Sequence, residues 1–441
     1  MDTNSQNTAK AVTRRNFVQG ATAAGLSTLA ISKGAHAAGS DVIKFGLVGC
    51  GGRGTGAASQ IMNSPHPTQL VAMGDAFMDK VEGSHNRLSK QYKDKVTVTK
   101  DTMFAGYDAY QKVIDSGVDL VAFATPPGFR PFHVEAAVNA GKHVFMEKPV
   151  CVDGAGAQRV LDAAAKAKKQ NTAIAVGLQR RHQPDYQETI KRLQDGAIGD
   201  ILYMRAFWNG GGVWTRGRQE GQSELEYQMR NWYYFNWLCG DHITEQHIHN
   251  LDVINWLKDA YPVKANGMGG REVRGNPAND GDAKNHGEIF DHHFVEYEYA
   301  DGTRMYSQCR HQRGCWGSVS EHAYGSKGSS DINRSTILAG EDAWRFRGQR
   351  VSGHQQEQLN LIDALSKGEV YNEGVYGAMS SLTSVLGRLA TYSGKIVTMD
   401  QALKTKSTMP EHISWDSEAP VMPGPDGLYP AAAIPGNFKI T

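Results

Sequence analysis

Along the chain, apolar runs of four to seven residues alternate with longer stretches in which apolar positions recur every three or four. The first kind suits strands buried on both faces, the second helices with one buried stripe. Runs at residues 42–48, 69–74, 118–124, 143–146 and 172–176 predict strands. Stretches at 57–62, 107–115, 131–140 and 153–169 predict helices between them, the last with Asp153 as its N-cap. Strand–helix alternation of this kind predicts an α/β fold with a parallel, doubly wound sheet. Farther on the pattern changes. Residues 294–299 and 305–309 alternate with period two, and Asp301-Gly302 between them signals a hairpin. Residues 355–367 and 374–391 read as late helices, so the second half predicts another α/β domain whose sheet buries one face.

The first predicted strand runs into Gly49-Cys50-Gly51-Gly52-Arg53-Gly54, a G-x-G-x-x-G turn with a helix behind it. That context is what a dinucleotide fingerprint requires. Gly49 permits the tight turn, Gly51 lets backbone approach a pyrophosphate, and Gly54 lets helix and strand pack closely. The helix N-terminus, with Gly52 and Arg53, offers N–H groups and a positive dipole end to the anion. Asp75 closes the second predicted strand at about the spacing expected of a ribose-binding acid. A carboxylate there repels a 2′-phosphate, and no arginine follows in Ala76, Phe77 or Met78, so NAD is preferred over NADP. Ligands of such sheets bind at the strands' carboxyl ends, where Asp75, Thr125-Pro126, Glu147-Lys148 and Gln179-Arg180 all fall.

Composition narrows the classes. The chain has 441 residues, 40% hydrophobic and 21% charged, with a net charge of +1. That length suggests two domains, and that charge implies no nucleic-acid partner. The longest apolar runs fall short of the roughly 18 residues of a membrane span. Five scattered cysteines without a CxxC argue against a disulfide framework or a cysteine zinc site; a Cys309–Cys315 bridge stays open. At the N-terminus, Thr13-Arg14-Arg15-Asn16-Phe17-Val18, an Ala-rich stretch at 21–31 and Ala35-His36-Ala37 read as a removable twin-arginine export signal. The expected location is periplasmic or otherwise exported. That route carries folded proteins, which agrees with a nucleotide loaded in the cytoplasm and then retained.

The glycine turn, Ala124-Thr125-Pro126 and Glu147-Lys148-Pro149 together resemble the Gfo/Idh/MocA oxidoreductase family, over about residues 42–391. The resemblance implies a Rossmann domain and a second α/β domain with an open, mostly antiparallel sheet that supports the substrate site and often oligomer contacts, so a homo-oligomer is expected. It also implies NAD(P)-dependent chemistry on sugars or cyclitols. The expected division is a signal at 1–37, an NAD-binding domain at 41–170, a substrate and oligomerisation domain at 171–419, and an extended arm at 420–441, drawn across a neighbouring subunit.

Oxidising a secondary alcohol needs a base for the hydroxyl proton; the cofactor supplies the redox step. Lys148, at a strand end beside the cofactor, suits that role. The family's D-x-x-x-H pattern followed by Asp is matched by Glu245, His249 and Asp252, with Glu245 standing where Asp is usual. Residues four apart share a helix face, so Glu245 and His249 are expected to project together, His249 as proton shuttle or substrate anchor and Glu245 as its orienting partner. His242, Glu245 and His249, with His247 nearby, also have metal-ligand chemistry; the sugar-site reading is preferred and no metal is expected. Arg180 and His182 follow a strand end and are candidates to face substrate. Among the aromatics between Phe207 and Trp256, Trp214 and Tyr234 are the candidates to pack on a sugar ring. The expected activity is oxidation of a ring hydroxyl of a sugar or glycoside, with C3 suggested by exported relatives, or reduction of the matching ketone. Two alternatives stand beside it: glycoside cleavage by transient oxidation, elimination, water addition and re-reduction, and non-catalytic sugar binding.

Overall fold

Strands buried on both faces need helices on both sides, and the first half of the chain supplies them. The computed structural model of the protein describes residues 42–274, 287–369 and 371–440; the export signal expected at 1–37 lies outside the described residues. Strands β1 (Ile43–Val48), β2 (Thr68–Asp75), β3 (Met103–Ala105), β4 (Leu120–Phe123), β5 (His143–Met146) and β6 (Ile174–Val176) form one parallel sheet in the order β3-β2-β1-β4-β5-β6. Helices α1 (Gly52–Met62), α2 (Met78–Gln91), α3 (Ala109–Ile114), α4 (Arg130–Asn139) and α5 (Gly154–Gln170) connect them. The strand order reverses between β1 and β4, so a crevice opens beyond their carboxyl ends. Asp153 caps α5 as expected, accepting from the Gly156 N–H at 2.7 Å, a contact worth about 1 kcal/mol.

Two expectations need correction. The sixth strand pairs with β5 at Val144–Ile174, so the first domain's sheet extends beyond the boundary set at residue 170. Helix α2, a segment for which no element was expected, buries Val81, Ser84 and Leu88 at helical spacing on an otherwise polar surface.

The second domain holds α6 (Pro184–Gln194), β7 (Ile201–Gly210), α7 (Glu224–Arg230), α8 (Asn236–Cys239), α9 (His242–Glu245), α10 (Ile248–Lys258), β8 (Lys264–Gly270), β9 (His292–Glu298), β10 (Arg304–His311), β11 (Ser318–Gly325), β12 (Ser329–Asp331), β13 (Thr336–Leu338) and β14 (Trp344–Arg345). It closes with α11 (Gly353–Lys367), α12 (Gly374–Ser393), β15 (Val397–Thr398) and α13 (Met399–Leu403). Its nine strands run β14-β13-β12-β11-β7-β10-β9-β8-β15. Only the β7–β10 pair is parallel; the others are antiparallel. The hairpin at Asp301-Gly302 joins β9 to β10, with Gly302 at φ +83°.

One sheet face is covered by α10 and α12. Helix α12 also meets α5 and so ties the two domains together. It approaches the sheet closely because a Cβ on Gly387 would overlap the Tyr297 hydroxyl. The other face carries Tyr203, Phe294 and Met268, all exposed, and Tyr203 stacks on Tyr324 with ring centroids 4.5 Å apart. The expected arm at 420–441, in its described part, packs on its own chain. Tyr429 lies against Tyr227 and Phe235, and Phe438 against Tyr392. All five cysteines are free.

Candidate active site

The glycine turn shows why each glycine stands where it does. Gly49 has φ +94°, and a Cβ on it would lie 2.5 Å from the Ala124 carbonyl carbon. A Cβ on Gly54 would overlap the Gly49 carbonyl oxygen, whereas around Gly51 and Gly52 nothing lies within 4 Å. Positions 49 and 54 therefore press α1 onto the strand ends, and positions 51 and 52 leave an open approach to the helix N-terminus. No acidic residue occupies the first turn of α1. Gly54→Ala is expected to abolish nucleotide binding and to cost about 1–3 kcal/mol of stability; calorimetric titration with NAD and a melting curve check both.

A cavity of about 530 Å³ opens in front of this turn. The turn, Asp75, Thr125 and Pro126 line it on the first-domain side. Asp75 accepts from the Cys50 N–H at 2.7 Å with one oxygen and from the Phe77 N–H at 3.1 Å with the other. Burial pushes its pKa up despite these two donors, and each oxygen keeps a lone pair for a further donor. The open backbone at 51–52, the carboxylate at 75 and the cavity between them fit a dinucleotide. Arg53 and Glu147 play another part: the Arg53 Nε lies 2.8 Å from a Glu147 oxygen, and Glu147 is buried over Gly177. They brace one another and hold α1 to the end of β5.

At that end, Lys148 meets the second domain. Its Nζ donates to the Glu245 carbonyl oxygen at 2.6 Å and to the Glu245 carboxylate at 3.0 Å. The expected single helix through 245–249 is interrupted here. Helix α9 ends at Glu245, α10 starts at Ile248, and the His249 N–H bonds the Gln246 carbonyl at 3.3 Å instead of Glu245. The lysine has taken the acceptor that a continuous helix would use.

His249 nonetheless shares the site. Its ring stacks on Trp208 at 5.9 Å, and its Nδ1 is buried without a hydrogen-bond partner among the described residues. Burial, and then the charges of Lys148, Arg180 and His354, hold its pKa well below the usual imidazole range, so the ring is neutral near pH 7. The Tyr233 hydroxyl is likewise buried without a partner among the described residues. Burial and the Glu245 charge push its pKa up.

Other expected substrate residues are engaged elsewhere. Asp252 is buried in a fork with Arg181 at 2.8–3.1 Å and accepts from the Ser380 hydroxyl. Arg180 is paired with Glu321 and lies behind His249. His182 bonds Asn360 at 2.9 Å and sits 3.2 Å from Glu373. Tyr234 is buried, its hydroxyl donating to the Val213 carbonyl at 2.8 Å. Trp214 lines the cavity in front of the glycine turn.

His242 is fully buried. With Asp241 and His293 it brings potential ligand atoms within 4.8 Å of one another. The Asp241 carboxylate already accepts from Tyr392 Oη at 2.6 Å, the Phe290 N–H at 3.0 Å and His242. That network fixes the loop leading into Glu245. The pattern did not single out His354, which stands about a hundred residues from the motif, and among the aromatics between Phe207 and Trp256 it preferred Trp214 and Tyr234 to Trp208, the ring that packs on His249.

Known proteins place this geometry. Residues 43–175 match the Gfo/Idh/MocA family, described as an oxidoreductase family with an NAD-binding Rossmann fold. Inositol 2-dehydrogenase of Salmonella paratyphi B is 26% identical over 217 residues, 49% of this chain and 54% of the relative. The NAD(+)-named scyllo-inositol 2-dehydrogenase of Bacillus subtilis is 23% identical over 227 residues, 52% of this chain and 57% of that one. The chain thus spans about half the length of the curated relatives it matches. The crystal structure of an aldose-aldose oxidoreductase from Caulobacter crescentus superposes with a TM-score of 0.62 at 20% identity, covering 81% of this chain and 99% of the other. Residues 43–175 thus match the NAD-binding Rossmann domain of the Gfo/Idh/MocA oxidoreductase family, in a chain that shares the fold of its solved neighbour.

Proposed function

We propose that the protein is an NAD-dependent oxidoreductase acting on a CH–OH group of a sugar, glycoside or cyclitol. The observation that carries this reading is the Lys148 amine held on Glu245, with a neutral His249 beside it, at the strand ends that also carry the glycine turn. NAD, when bound, supplies the hydride acceptor or donor. Glycine-turn backbone, Asp75, Thr125 and Pro126 would hold it. Lys148, once it has passed a proton to the Glu245 carboxylate it is bonded to, takes the proton of the reacting hydroxyl, and the reverse direction runs these transfers backwards. Glu245 orients the amine. His249, neutral and flat against Trp208, receives a second hydroxyl or shares the proton.

The export reading of residues 13–37 supports an exported or periplasmic enzyme with a retained cofactor, and a ring ketone, at C3 in our reading, as its oxidised product. The test is incubation with a panel of sugars, cyclitols and glycosides, with mass analysis of products. A keto-product is expected. Release of a free sugar at unchanged redox state would mean redox-assisted glycoside cleavage, and the absence of any turnover would mean a binding protein.

We also propose that the exposed face of the nine-stranded sheet joins copies of the chain. Tyr203→Asp together with Phe294→Asp should convert an oligomer to a monomer in light scattering. An unchanged mass would rule that face out.

A further inference from the structure

The nucleotide cavity has a wall that the first domain does not build. Trp214, Arg216, Met229, Arg230 and Trp232 line it from the second domain. The Trp214 and Trp232 rings meet edge-to-face at 6.1 Å, and the Arg216 guanidinium lies 5.2 Å over Trp214. Arg230 crosses to the first domain. Its guanidinium lies 3.9 Å over the Phe77 ring and donates to the two oxygens of Asp79 at 3.2 and 3.3 Å.

The C-terminal segment adds a second tie. Trp415 packs against Phe77 at 5.2 Å and Tyr107 at 4.7 Å, two rings that line the cavity. Farther along, Tyr429 Oη donates to Glu224 Oε1 at 2.5 Å, and the Gln228 amide donates to the Val421 carbonyl. Both acceptor and donor side chains belong to α7, whose last residue is Arg230. The segment thus holds the helix that holds the cavity's far wall. The cavity also carries Lys80, Arg87 and Arg216, beside Arg53 and Arg230 in their ion pairs with Glu147, Asp79 and Glu226, a balance that suits a diphosphate.

We infer that α7 and the C-terminal segment clasp the Asp75 end of the bound dinucleotide, so that NAD is a resident group of this protein and not an exchanging co-substrate. This deepens the NAD-dependent reading above and rests on it. For the dinucleotide to leave, Arg230 must release Phe77 and Asp79, and the aromatic wall backed by Trp415 must loosen. Arg230 is then a cofactor-site residue, and Trp415 a positioning residue acting through Phe77 and Tyr107.

The test uses the full chain, purified under native conditions, with Arg230→Ala, Trp415→Ala and Trp415→Phe. Each variant is first compared with the parent by melting. Bound nucleotide per chain is then measured after gel filtration, and exchange is followed with isotopically labelled NAD. The parent should keep its NAD through gel filtration. Arg230→Ala and Trp415→Ala should exchange it about tenfold faster or more, equivalent to one lost contact of about 1.4 kcal/mol, and Trp415→Phe should restore slow exchange. Exchange in the alanine variants as slow as in the parent, or a parent that exchanges freely, would overturn the clasp and leave the NAD-dependent reading standing. A parent that takes up no NAD at all would overturn both.

Discussion

Lys148→Ala should lower turnover by about 10²–10⁴-fold, the range that a positioned proton-transfer group contributes. NAD content should stay near the level of the parent, because the glycine turn, Asp75, Thr125 and Pro126 are the residues assigned to hold the dinucleotide. The loss should appear in kcat more than in KM, since the amine acts on the proton that moves. Lys148→Arg should not rescue, because a planar guanidinium that stays charged near neutrality cannot take up a proton. Lys148 Nζ reaches Glu245 at two atoms, 2.6 and 3.0 Å away, so Glu245→Gln should retain the main-chain anchor and lose less than Lys148→Ala. Steady-state rates on the best substrate from the sugar panel, with nucleotide content measured in parallel, decide the matter. Turnover unaffected by Lys148→Ala would remove the lysine from the chemistry.

A steep loss of stability on acidification is the second large effect. Burial pushes the pKa of His133 and His247 down to about 3 and that of His293 to about 4, and holds His249 and His311 well below the usual range. The native state thus keeps these rings neutral where the unfolded chain, with pKa near 6.5, takes up protons. Their contribution is complete above pH 6.5 and is lost as pH falls toward 4. Glu288, pushed up to about 7, and the raised Glu321 and Glu357 act in the opposite sense, their contribution being lost as pH rises above 4.5. The depressed imidazoles set the sign, because the unfolded chain takes up protons on them below about pH 6.5 that the native state refuses. The melting midpoint should therefore fall by several degrees between pH 6.5 and 5. His247→Gln, which can keep a bond to Ser307, should flatten that slope. A midpoint that is level or rising toward pH 5 would mean that these rings are not neutral in the fold.

Much of the first domain was legible because its strands are apolar on both faces and its turn residues are under steric demand. Gly49, Gly54 and Asp153 each sit where local chemistry admits few alternatives, and each stands in the structure where the pattern placed it. Lys148 and His249 were picked out through the family resemblance, and the structure brings them near one another around Glu245. What failed were inferences about where polar side chains point. Arg180, His182 and Asp252 follow the right elements, yet their partners, Glu321, Glu373 and Arg181, come from sheet, helix and loop positions that spacing alone does not pair. Trp214 was assigned to a sugar because aromatic loops suit sugars; it lines the cavity in front of the glycine turn. The helix break at Gln246 was hidden because it depends on a lysine almost a hundred residues earlier.

That break has a bearing on how freely residue 245 can drift. A side-chain carboxylate can be exchanged by a single codon change, but a peptide carbonyl is present whatever the codon. Because the lysine is tethered first to the backbone, the length of the acid at 245 can change without setting the amine adrift. The broken helix thus buffers the position of the amine against variation in its own neighbour and leaves the carboxylate free to be tuned toward a different ligand.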